Sequence, residues 1–216
     1  SKEGKRTNTS LFAEHNVIIG GITLSAGILA NRNTGLDQDF RFYPGIDLGY
    51  RPNSHWKLHV SWNKALRVPT YTDLYTSNKA QQGDLNLKPE RNSAFKAGAR
   101  FRTRGLEAVA GAFYSNGTNM IDWVYETETS TQYHAMNIGK LDNMGFNVEG
   151  TLNLSELVNP NFGMQRSSSG RVPVLLKVGY AYIHQKHETD QPIYKSLYAL
   201  EYLRHKFVAE LSHPIV

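Results

Sequence analysis

The chain has 216 residues, room for one or at most two domains, with 24 Lys and Arg against 19 Asp and Glu and a net charge of +5. Hydrophobic residues at 40% and charged residues at 20% exclude intrinsic disorder, and no apolar run approaches the roughly 18 residues of a membrane-spanning helix. The absence of cysteine removes disulfide scaffolds, thiolate zinc sites and cysteine nucleophiles together.

Ser1 to Ser10 is polar throughout and carries no signal peptide, and the chain stops abruptly at Ser212-His213-Pro214-Ile215-Val216. A piece of a longer exported protein is therefore expected. Along the chain, period-2 alternation predicts about nine strands, at roughly 8–19, 21–32, 40–51, 55–67, 92–104, 106–126, 132–155, 171–187 and 194–213. Phe42, Pro44, Ile46, Leu48 and Tyr50 share one face of the third. Trp56, Leu58, Val60 and Trp62 share a face of the fourth, opposite Lys57, His59, Ser61 and Asn63. Phe95, Ala97, Ala99 and Phe101 repeat the pattern, as do Met144, Phe146, Val148, Gly150, Leu152 and Leu154, and then Val172 to Tyr182. Polar faces on every strand exclude a parallel sheet buried on both sides.

The connections alternate in length. Gly20-Gly21, Pro52-Asn53-Ser54 and Arg104-Gly105 are tight turns, whereas longer polar links fall near 33–39, 68–91, 127–131 and 188–193. The link near 156–170 is the exception. An antiparallel up-and-down meander with one short-turn end and one long-loop end is the pattern of a transmembrane β-barrel. Trp56 and Trp62 lie roughly 20 Å apart along one face, about 15 Å in depth after tilt, as two interfacial girdles require. A secreted β-sandwich, such as a carbohydrate-binding module, also alternates and also takes aromatics. Strands of about ten residues or more, against a usual five or six, favour the membrane.

Two neighbouring stretches carry a family resemblance. Leu66-Arg67-Val68-Pro69-Thr70-Tyr71-Thr72-Asp73-Leu74-Tyr75 is followed by Gly83-Asp84-Leu85-Asn86-Leu87-Lys88-Pro89-Glu90-Arg91-Asn92. Together they resemble the paired boxes of TonB-dependent outer-membrane receptors. Phe42 through Pro52, Phe113-Tyr114 with Ile121-Asp122-Trp123, Asn137-Ile138-Gly139-Lys140 with Gly145 to Glu149, and Arg204-His205-Lys206 are similar to further family stretches in the same order. Leu66 stands where the family often has Phe, Val68 where it has Ala, and Gly83-Asp84 replaces its Asn-Pro turn.

The resemblance implies an all-β chain supplying about nine strands of a 22-stranded barrel, roughly the eleventh to the nineteenth, with residues 1–216 as a partial barrel domain. By the same resemblance, an outer-membrane receptor of a Gram-negative bacterium would import a scarce nutrient, a ferric siderophore, cobalamin or glycan. Energy would come from the TonB complex through a plug domain absent from this piece. Haem is disfavoured, because haem-transporting members usually place a His between the two boxes and none occurs between Leu66 and Leu87. A barrel with a passive-pore or adhesion role is the alternative within the same wall.

The residues themselves offer little catalysis. There is no nucleophile elbow, dinucleotide fingerprint or P-loop, so no enzyme and no cofactor are expected. His184 and His187 fall on opposite faces of a strand, which speaks against a metal site. No basic helix or aromatic-interleaved basic strand points to nucleic acid. Lys57, Lys64, Lys96, Arg100 and Arg102 are placed on polar faces toward the lumen, for plug contacts or an anionic ligand. The long link 68–91, expected without regular structure, is the candidate ligand-facing loop. Its candidate binding residues are Tyr71, Asp73, Tyr75, Gln81 and Gln82, with Pro69 and Pro89 fixing its two ends. Partners expected are outer-membrane lipid and a small-molecule ligand, and the free sheet edges of the isolated piece are expected to self-associate.

Overall fold

In the computed structural model, residues 7–34, 37–159, 173–189, 192–197 and 202–213 are described. Nine strands form one antiparallel sheet: β1 (Asn8–Ile19), β2 (Ile22–Asn33), β3 (Asp37–Tyr50), β4 (Trp56–Arg67), β6 (Glu90–Thr103), β7 (Leu106–Thr118), β10 (Lys140–Asn153), β11 (Leu175–Glu188) and β13 (His205–Ser212). Each pairs with its successor in that order, an up-and-down meander.

Register aligns the apolar rows into one continuous face. Leu24 pairs with Leu48, Leu48 with Val60, Val60 with Ala97 and Ala97 with Ala112. The row continues through Phe146 to Tyr182. A one-residue slip would turn every one of these side chains to the other side, so the pairing is fixed by the pattern. Ile46, Leu48, Trp56, Val60, Phe95, Phe146 and Val178 are exposed, and the described residues leave this face uncovered. The opposite face carries ion pairs: Arg100 and Arg102 both meet Glu107, and Lys177 meets Glu149 at 3.3 Å.

Three of the expected strands are shorter than predicted. The span 106–126 divides into β7 and β8 (Ile121–Tyr125), and 132–155 divides into β9 (Tyr133–Asn137) and β10. The breaks are at Asn119 (φ 54°) and Gly139 (φ 98°), where left-handed backbone turns both chains off the wall. The last span holds only β12 (Lys195–Ser196) and β13, with 198–201 outside the described residues, as are 171 and 172. The link 68–91 is also not structureless: it contains α1 (Tyr71–Tyr75) and β5 (Gln81–Gln82). At the other end, the exceptional link begins with α2 (Leu154–Val158).

A second sheet, in the order β12-β8-β9-β5, is thus assembled entirely from three long links at one end of the wall. The buried apolar residues gather there or beside it: Leu74, Leu87, Trp123, Val124, Ala135, Ile138 and Leu141. Tyr43 on β3 is also buried.

Among the described residues, the wall opens locally between β3 and β4. β3 pairs with β4 only from Tyr50↔Leu58 to Gly45↔Asn63. Beyond that point β3 stays on β2, reaching Asn33↔Asp37, and β4 stays on β6, reaching Arg67↔Glu90. Pairing stops next to Pro44, which has no N–H to give to a ladder.

Candidate functional site

The candidate site is the cap built by the three links. Its first piece grows from Pro69-Thr70. The Thr70 hydroxyl accepts from the Asp73 backbone N–H at 3.1 Å and the Asp73 carboxylate accepts from the Thr70 N–H at 2.9 Å, a reciprocal cap on the first turn of α1. The helix then places Leu74 inward and Tyr71 and Tyr75 outward, four residues apart on one face. Their rings stack with centroids 5.6 Å apart, and they are 58% and 45% exposed.

Arg67, at the end of β4, ties this helix to the wall. It donates to Glu90 at 2.6 Å and to Asp73 at 3.3 Å. Glu90 also accepts from the Ile121 N–H at 2.8 Å, so one carboxylate joins β6, β4 and the start of β8. Asn137 makes the second tie. Its oxygen accepts from the Lys88 N–H at 2.8 Å, and its amide donates to the carbonyls of Lys88 at 3.0 Å and Asn119 at 2.7 Å. The third link is held by Asp122, nearly fully buried, which accepts from the Ser196 hydroxyl and from the Trp123 N–H.

Gly83 closes the cap at short range. A Cβ here would lie 2.6 Å from the Asp73 carbonyl oxygen and 2.9 Å from the Leu74 carbonyl carbon, so only glycine lets β5 approach α1. The chain exploits that approach, with the Gly83 N–H donating to Thr76 at 2.7 Å and the Asp84 N–H to Asp73 at 3.0 Å. Gln81 and Gln82 then pair in parallel with Tyr133 and His134 of β9. Tyr133 stacks on Tyr125 at 4.0 Å, and His134 meets Glu126 at 2.6 Å. In the link before β13, Arg204 donates to the Tyr202 hydroxyl at 3.4 Å and holds that phenol below its usual pKa.

The five loop residues singled out in the sequence therefore divide. Tyr71, Tyr75 and Gln82 are exposed, and Gln81 is half-buried. Asp73 is 4% exposed, its carboxylate engaged by Thr70 and Arg67. Lys57, Lys96, Arg100 and Arg102 share the polar face of the wall, with Lys57 directly across from Arg100. Lys64 does not join them. As an even-numbered position on β4 it continues the face of Trp62, and its ammonium lies 5.8 Å from that ring. Arg67, Glu90 and Asn137 were missed as a set. Each lay inside a motif already quoted, and only the register Arg67↔Glu90 shows why those residue types occur there.

A one-sided apolar antiparallel wall, tight turns at one end and knitted loops at the other define a segment of a transmembrane β-barrel. The chain belongs to the TonB-dependent receptor-like β-barrel family, whose model matches residues 1–209. Among solved structures it is similar to the siderophore receptor PirA from Acinetobacter baumannii (14% identity, TM-score 0.67, 98% of this chain and 32% of that one). PirA from Pseudomonas aeruginosa gives 17% identity and a TM-score of 0.65 over 84% of this chain and 32% of that one. The FrpB iron transporter from Neisseria meningitidis, apoprotein form, gives 18% and 0.63 over 87% of this chain and 27% of that one. This chain spans about a third or less of the length of these structures. Comparison with curated proteins gives no match.

Proposed function

We propose that this chain is the middle part of the barrel of an outer-membrane receptor that captures a scarce nutrient at its outer cap and imports it with energy delivered by TonB. Residues 1–216 supply wall and cap, and the plug that TonB engages comes from elsewhere in the receptor. The observation that carries this reading is the cap itself. Three loops at the long-loop end share one hydrophobic core, whereas a passive pore needs only a wall. The family relation and the names of the solved relatives, siderophore receptors and iron transporters, favour a ferric siderophore over cobalamin or a glycan.

In this reading the stacked Tyr71 and Tyr75 offer a flat amphipathic surface to the ligand, and Gln81 and Gln82 offer hydrogen bonds at its edge. Asp73 acts through the tyrosines by fixing the helix that presents them. Lys57, Lys96, Arg100 and Arg102 face the plug or an anionic ligand in transit. β1 and β13 each pair on one side only among the described residues, so the remaining strands of the barrel join at those edges. Without them the isolated segment self-associates edge to edge.

The test uses the full-length receptor carrying Tyr71→Ala with Tyr75→Ala. Ferric-siderophore affinity falls about tenfold or more while barrel melting is unchanged. Unchanged affinity with a lowered melting temperature would reduce the two tyrosines to rim packing and remove the cap from the binding site.

A further inference from the structure

Charge is divided unevenly between the wall and the cap. The whole chain carries a net charge of +5, and Lys57, Lys96, Arg100 and Arg102 place much of that excess on the polar face of β4 and β6. The second loop of the cap, 119–139, runs the other way, holding Asp122, Glu126 and Glu128 and neither Lys nor Arg. Glu126 and Glu128 are exposed at the tip of the β8–β9 hairpin, and Asp122 is buried.

The first loop supplies little to offset them. Within 68–89, Lys79 and Lys88 are matched in number by Asp73 and Asp84. Lys88 lines a cavity at the foot of the cap with Asp39 and Tyr43 of β3, and Arg67 below it is engaged by Glu90 and Asp73. Lys79 sits where the two loops join, since the carbonyls of Asn78 and Ala80 on either side of it accept from the Gln132 amide and the Tyr133 N–H. The acidic hairpin therefore lies beside the loop that presents Tyr71 and Tyr75. The third link adds Lys195, across from Tyr125, and Arg204, bonded to the Tyr202 hydroxyl. Against Asp84, Glu126 and Glu128, the cations Lys79, Lys195 and Arg204 give balance and no excess.

A polyanionic cargo needs such an excess. Ferric iron wrapped in catecholates keeps a large net negative charge, whereas a full set of hydroxamates neutralises it. Two stacked phenols and two amides in charge balance offer flat apolar area and neutral hydrogen bonds, with no cluster of cations to hold an anion. We propose that the cap selects a neutral ferric complex of the trihydroxamate class and discriminates against polyanionic tris-catecholates. The inference rests on the ferric-siderophore reading proposed above and narrows it. With a neutral cargo, the lumenal Lys57, Lys96, Arg100 and Arg102 have the plug as their partner.

The experiment titrates the full-length receptor with two probes, the neutral ferric complex of a trihydroxamate and the ferric complex of a tris-catecholate, at low and at physiological salt. The trihydroxamate complex binds about tenfold or more tighter, with an affinity that salt leaves unchanged. Affinity for the tris-catecholate complex rises with salt as repulsion is screened, and rises about threefold in Glu126→Gln with Glu128→Gln. Equal affinities, tighter binding of the tris-catecholate, or a tris-catecholate affinity that falls as salt rises each overturn selection by charge and leave the ferric-siderophore reading standing. Binding of neither complex overturns that reading and this inference with it.

Discussion

The wall and the cap use the same alphabet of short apolar rows, yet they bury them in opposite ways. On the wall, Val60, Phe95 and Phe146 remain exposed, and what stabilises them is a surrounding hydrocarbon. In the cap, Trp123, Leu87 and Ala135 are at most 5% exposed, shielded by one another and by Leu74. The lesson is that a barrel wall needs no internal core, whereas loops that hold a fixed shape in water must build one.

The largest break in this comparison comes from the cap core. Trp123→Ala removes the largest side chain of that cluster and is expected to destabilise the cap by about 3–5 kcal/mol. Protease sensitivity should rise within 68–89 and 119–139, while the heat-resistant migration of the barrel is retained. Loss of both together would mean that wall and cap are one cooperative unit.

Next comes the wall. Val60→Arg on the apolar face is expected to cost about 2–4 kcal/mol near the bilayer midplane, and His59→Arg on the other face far less. Unfolding titrations in lipid measure the difference, and equal costs would reverse the assignment of inside and outside.

Two glycines sharpen the contrast at smaller scale. Gly83→Ala forces a methyl against the fixed backbone of α1, at a cost of about 1–3 kcal/mol. Gly98→Ala on the wall meets the ring of His59, an exposed side chain that can swing aside, and should cost only ~0.5 kcal/mol. Melting of the two variants against wild type decides it, and a wall variant as damaging as the cap variant would contradict the packing described.

The wall was legible in the sequence because period 2 is sustained over a dozen residues at a time, and strands such as β1 lie where the alternation places them. The cap was not. β8 and β9 adjoin β7 and β10 with only two residues between, so a strand reading runs straight through the points where the chain leaves the sheet. Only the left-handed residues Asn119 and Gly139 signal the departure. Lys64 was misplaced by its charge, although counting from Trp62 puts it on the outward face. Arg67 and Glu90 stood in plain view, but an ion pair between residues 23 apart becomes visible only once the strands are in register.

Native-state hydrogen exchange on the full-length receptor in bilayers, followed through increasing denaturant, tests the division most directly. Amides of 70–87, 121–137 and 195–197 are expected to open together at one free energy, below that of β4, β6 and β7. Independent opening of the three loops, each at its own free energy, would contradict a cap with a shared core.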